Sequence, residues 1–168
     1  MPDQFASDYL ADVLASFRQY QALAEKAMAQ VNDQAFFAAA DAEANSIAVL
    51  VKHVAGNQQS RWTDFLTTDG EKPDRNRDGE FVLGPGTGRD EVMRWWVEGW
   101  ALLYRTIESL APGDLGRTVQ IRGKPHTVMQ AIQRQLAHYA YHVGQIVLLA
   151  RQAVGPERWE TLSIPRRR

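Results

Sequence analysis

Apolar residues recur at three- and four-residue steps through most of this chain, the spacing that stacks side chains on one face of an α-helix. Phe5, Tyr9, Val13, Phe17, Tyr20, Ala24, Ala27 and Val31 set that rhythm first. It fades at "VNDQ", and "FFAAADAEANS" is ambiguous. A second helix is expected to start near Asn45 or a few residues before it. Ile47, Leu50, Val54 and the span from Trp62 to Leu66 carry its apolar positions. Gly56 inside this segment costs about 1 kcal/mol relative to alanine, so a bend or a close contact is expected there.

A polar stretch, "TTDGEKPDRNRDGEFVLGPGTG", follows for about 22 residues; loops of that length inside a domain are usually functional or disordered. Both charge signs occur in it without disorder bias, so an ordered crossover that caps another part of the molecule is expected. "TGRDEVMRWWVEGWALLYRTIESLAPGD" reads as the third helix. Thr87 is expected to cap it, Asp90 and Glu91 suit its positive end, and "APGD" stops it. Trp95, Trp96, Trp100 and Tyr104 make this helix aromatic on more than one side, which favours core packing over a ligand box. "TVQIR", a "GK" turn and "PHTV" read as a short hairpin, with Gly123 supplying the turn geometry. Thr127 then caps a fourth helix from Val128 to about Val154, and a tail packs through Trp159, Leu162 and Ile164. The pattern predicts an all-α protein with one domain over residues 1–168. It is a four-helix bundle with a long crossover between helices 2 and 3 and a short β-hairpin before helix 4.

Composition narrows the chemistry. The 168 residues are 45% hydrophobic, enough for a sizeable core. A formal net charge of −1 gives no electrostatic reason to expect nucleic acid or an anionic membrane as partner. The terminal "RRR" is too short to change that. There are no cysteines, which removes disulfides, iron–sulfur clusters, thiolate metal sites and a cysteine nucleophile. Any thiol in the chemistry must come from a small molecule. The N-terminus lacks a signal-peptide pattern and no run has the length of a membrane span, so a cytoplasmic location is expected.

Candidate chemistry concentrates in "QLAHYAYHVGQIVLLA". On a helical wheel, Val128, Ile132, Leu136, Tyr139, Val143, Ile146 and Ala150 form one apolar stripe. His138 and His142 share the adjacent face with Gln135, Gln145 and Leu149. The reverse side, with Ala137, Tyr141 and Leu148, is also apolar, so this helix is expected to be wrapped by protein. Spacing of i, i+4 sets two imidazoles side by side, within reach of one ion, although two packed core histidines would give the same pattern. No HExxH glutamate accompanies them. His53, on another helix amid apolar residues, offers a third corner. Three neutral imidazoles would leave a coordination position open. His126, after Pro125 in a turn, reads as a loop residue.

These residues resemble the DinB/YfiT-like superfamily of metal-binding four-helix bundles. The resemblance is carried by His53, by "HYAYH" within "HxxxHxGQI" from His138 to Ile146, and by "IRGKPHTVMQAI" before the pair. "NSIAVLVKHVAGNQQSRWTDFLTTDGEKPDRNRDGEF" further resembles one uncharacterised branch of it, and the likeness covers nearly the whole chain. The resemblance implies His53, His138 and His142 as ligands of a divalent metal, usually zinc or nickel. It also implies a homodimer and, in some relatives, transfer of low-molecular-weight thiols such as bacillithiol or mycothiol to electrophiles.

Oxygens are expected behind the imidazoles to orient their ring N–H groups. Asn57, one turn after His53, and Gln145, almost one turn after His142, are candidates, and packing roles fit both equally. In the crossover region, Arg61, Lys72, Arg75 and Arg77 stand among Asp64, Asp69 and Asp78. An arginine pair there suits carboxylates of a thiol cosubstrate, but the balanced signs favour a solvated loop held by its own salt bridges. The expected function is a metal-dependent small-molecule transferase of the thiol-S-transferase type, or a hydrolase. The alternatives are a non-catalytic metal- or ligand-binding stress-response protein and a structural dimer with packed histidines.

Overall fold

Four long α-helices carry the fold in the computed structural model, which describes residues 2–162. They are α1 (Pro2–Met28), α3 (Ile47–Trp62), α4 (Arg89–Glu108) and α5 (Val128–Val154). A short α2 (Asp33–Phe37) falls in the stretch where the sequence period is ambiguous; Asn32 caps it by accepting the Ala35 N–H at 2.9 Å. It buries Phe36. The hairpin consists of β1 (Thr118–Ile121) and β2 (Lys124–Thr127), antiparallel, with Thr118 opposite Thr127 and Ile121 opposite Lys124.

Local chemistry explains the helix starts. Ser46 opens α3 by accepting the Val49 N–H, and Thr127 opens α5 in a reciprocal pair with Gln130. Each such cap contributes about 1 kcal/mol. Thr87 does not cap α4: that position is Gly88, which makes no side-chain cap bond. The turn between the strands is Arg122–Gly123 rather than Gly123–Lys124. Both residues have positive φ, 56° and 68°, which matches the twist of a tight hairpin. Asp69 holds this turn by accepting the backbone N–H groups of Arg122 and Gly123 at 2.8 and 2.7 Å.

Helix α1 packs on α5, and α3 packs on α4. Each long helix sends one large aromatic residue to the centre: Phe17, Trp62, Trp100 and Tyr139, with ring centroids 5.6–6.2 Å apart in the contacting pairs. Trp95 and Tyr104 pack half-buried around them, so the aromatic face of α4 is core. Tyr139 is fully buried; its hydroxyl accepts from Trp62 Nε1 and donates to Asn57 Oδ1, both at 3.0 Å. Those two bonds fix the rotation of α5 and hence where its neighbours His138 and His142 point.

Two expectations about exposure fail. Phe5, near the start of α1, is 67% exposed rather than part of its buried stripe. The reverse side of α5 is open as well: Tyr141 and Leu148 are 62% and 56% exposed, since α1 and α3 cover only the other faces. In the tail, Trp159 and Leu162 pack against the core, while Ile164 and the terminal arginines lie outside the described residues. Among the described residues no helix is long and apolar enough to cross a membrane.

Candidate metal centre

Between α3 and α5 three imidazoles converge. His53 Nε2 lies 3.4 Å from His138 Nε2, and His142 Nε2 lies 3.1 Å from it. All three ligand atoms fall within 4.8 Å of one another. His53 and His142 are buried and His138 is half-buried.

The outer nitrogens explain the inward aim. His53 Nδ1 is 2.8 Å from Glu80 Oε2, and His142 Nδ1 is 2.8 Å from Gln145 Oε1. Gln145 Nε2 donates to the Tyr141 hydroxyl at 3.3 Å, which turns the amide oxygen toward the ring. Both partners accept, so both rings donate from Nδ1 and turn Nε2 toward the centre. Carboxylate or amide support of this kind orients metal-binding histidines. His138 Nδ1 is buried without a hydrogen-bond partner.

Glu80 is the residue the sequence left unmarked. It sits in a 3-10 turn, Asp78–Phe81, within the crossover, and Arg75 grips it with two parallel bonds of 2.7 and 2.9 Å. Glu71 accepts from Arg75, Arg61 and Arg122. A charge chain thus runs from His53 through Glu80 and Arg75 to Glu71 and Arg61. The crossover does hold itself by salt bridges, and the inner ones are not solvated: the side chains of Arg61 and Arg75 are each 5% exposed, while Arg122 at the outer end is 53% exposed. Buried charges of this kind persist because each carboxylate has more than one cationic or N–H partner. Burial pushes the Glu80 carboxyl up, yet the bonds from His53 and Arg75 outweigh it and hold it below the usual carboxylate range.

Gly56 makes room for this contact. A Cβ there would lie 2.7 Å from Glu80 Oε1 and 2.8 Å from its Cδ. The close approach anticipated at this glycine is therefore the one that seats Glu80. Phe81 follows and stacks on the His53 ring at 4.6 Å and 27°. The crossover thus caps the histidine cluster.

Burial, with the neighbouring His142 and His53, takes His138 down to about 3. Burial and His53 take His142 down to about 4. Both rings are neutral at physiological pH, with lone pairs available. Tetrahedral neighbours around an ion with Zn–N bonds of about 2.0–2.1 Å lie about 3.3 Å apart. The Nε2 separations of 3.1 and 3.4 Å fit that edge. Among the described residues no fourth His, Cys, Asp or Glu joins the cluster.

The remaining candidates separate. Asn57 bonds Tyr139 rather than a ring nitrogen, and with Arg61 it lines a cavity of about 460 Å³ that also touches His53 and His138. His126 lies in strand β2 rather than in a loop, and outside the cluster, with Nδ1 2.9 Å from the Lys124 carbonyl.

A family model described as "Protein of unknown function (DUF1572)" matches residues 4–168. The chain belongs to the DUF1572 family. No curated protein matches it. The helical bundle and the three-histidine cluster of this DUF1572 protein agree with the DinB/YfiT-like metal-binding superfamily.

Proposed function

We propose that this protein is a metal-dependent small-molecule transferase or hydrolase, of the thiol-S-transferase type where a thiol is the cosubstrate. One observation carries the reading: three imidazole Nε2 atoms converge at metal-ligand spacing, with a cavity opening beside them. His53, His138 and His142 would hold a divalent ion, zinc or nickel. Bound there, it would supply Lewis acidity that lowers the pKa of a thiol or water brought to it. The chain's own residues do the rest. Glu80 and Gln145 hold the Nδ1 protons of His53 and His142 and so keep both rings aimed. Phe81 covers the His53 ring and excludes water from that side. Asn57 and Arg61 line the space where a substrate would sit. A homodimer belongs to the proposal, supported by the exposed apolar Tyr141 and Leu148 on the outer face of α5.

Elemental analysis tests the centre. About one equivalent of zinc or nickel is expected in the wild-type protein and none in His53→Ala or His142→Ala. Full metal retention in both variants sinks the reading. Turnover of an electrophile panel with bacillithiol, mycothiol, glutathione or water, with and without metal, then tests the reaction. Intact metal with no turnover would instead favour a binding protein.

A further inference from the structure

The cavity beside the histidines has an unusual lining. Besides His53 and His138 it is faced by Arg61, Arg75, Arg77, Arg122 and Arg134, and by no acidic residue. Two carboxylates stand behind it: Glu80, held by Arg75, and Glu71, shared by Arg61, Arg75 and Arg122. Five guanidinium groups thus face two carboxylates, in a chain whose net charge is −1. The positive excess is local and is not diluted by the rest of the molecule.

Arg77 and Arg134 decide what this excess is for. Neither forms an ion pair among the described residues; Arg77 lies 5.9 Å over the Phe81 ring, which itself stacks on His53. Arg77 comes from the crossover, Arg122 from the hairpin turn and Arg134 from α5. Arginines from three separate elements converge on one concavity of about 460 Å³, a volume suited to a small molecule. Asp69 braces the backbone at Arg122, so that part of the rim is positioned in advance. Clustered guanidinium groups repel one another, Arg77 and Arg134 have no counter-charge among the described residues, and an oxyanion, carboxylate or phosphate, is the partner their forked donors match.

We infer that this cavity takes a small molecule bearing at least two oxyanion groups, carboxylate or phosphate, bound through Arg77, Arg122 and Arg134. The inference rests on the metal-centre reading for which end of the molecule reacts, but not for the binding itself.

The test is calorimetric titration of zinc-loaded and of chelated protein with succinate and with inorganic phosphate. Acetate and succinamide serve as the single-charge and neutral controls, and zinc content is measured on every sample. Both dianions are expected to bind at least tenfold tighter than acetate, in chelated as well as loaded protein. The double variant Arg77→Gln with Arg134→Gln is expected to lose at least tenfold in dianion affinity. Both side chains lie on exposed residues, so its thermal midpoint and zinc content should match wild type. The ratio of succinate to phosphate affinity tells a carboxylate ligand from a phosphate one. Unchanged affinity in the double variant, or dianions binding no better than acetate, overturns the inference while a measured zinc equivalent leaves the metal centre standing. Dianion binding that persists in a protein unable to take up zinc upholds the pocket and overturns the metal centre.

Discussion

On α5, His142 takes its support from Gln145, three residues further along the same helix; across the cluster, His53 takes its support from Glu80, 27 residues away in the crossover. The α5 side is built from one continuous helix and one neutral amide, part of which reaches solvent. The α3 side uses a buried carboxylate, an arginine gripping it, a stacked phenylalanine and a glycine that lets them approach. A helix delivers i, i+4 and i, i+3 neighbours at almost no cost beyond forming itself. Holding a distant carboxylate against a ring requires ordering a long loop and pairing every charge that is buried with it. The two sides should therefore fail differently.

Removing an imidazole is the largest perturbation, and His142→Ala and His53→Ala should abolish metal binding alike. The sides separate at the next step. Glu80→Ala leaves Arg75 buried with half its partners gone and should destabilise the protein by about 3–5 kcal/mol. It should also weaken metal affinity by about 10–100-fold. Chemical denaturation and competitive metal titration measure the two effects. A stability change under 1 kcal/mol would mean that the crossover does not depend on this charge chain.

Gly56→Ala should act on the same side without touching a charge. Helix propensity alone predicts a gain of about 1 kcal/mol. The 2.7 Å approach to Glu80 predicts a net loss of about 1–3 kcal/mol, together with weaker metal binding. A stabilised variant with unchanged metal affinity would show that Glu80 moves aside freely.

Acid should find both sides. His138 and His142 titrate near 3 and 4 when folded, below their ordinary value of 6.5, and Glu80 is lowered too. Below about 6.5 the unfolded chain binds more protons than the folded one, so stability is full above that pH and falls as pH drops toward 4. The urea midpoint of chelated protein should decline over this window, and His138→Ala should flatten the decline. The smallest effect is expected from Gln145→Ala: about a tenfold loss of metal affinity and no more than about 0.5 kcal/mol of stability, because its amide is partly solvated.

Much of the fold was legible because its causes are local. Ser46, Thr127 and the i, i+3, i+4 stripes set helix starts and faces within a few residues, and Val128–Val154 is bounded by such signals at both ends. Where local signals compete, the sequence is ambiguous. Thr87 and Gly88 both suit a cap, and the short α2 carries too few turns to show a period. The outer face of α5 reads as buried because it is apolar, yet burial depends on what lies opposite.

The sequence by itself determined that two histidines share a face of α5, that His53 stands among apolar residues on another helix, and that no cysteine competes for the role. Helical periodicity and composition suffice for those statements. Only the tertiary structure decided that the three Nε2 atoms meet within 4.8 Å, that Glu80 rather than Asn57 backs His53, and that arginines from three elements surround the opening. Contacts between distant segments follow from how whole elements pack, and no spacing along the chain encodes that.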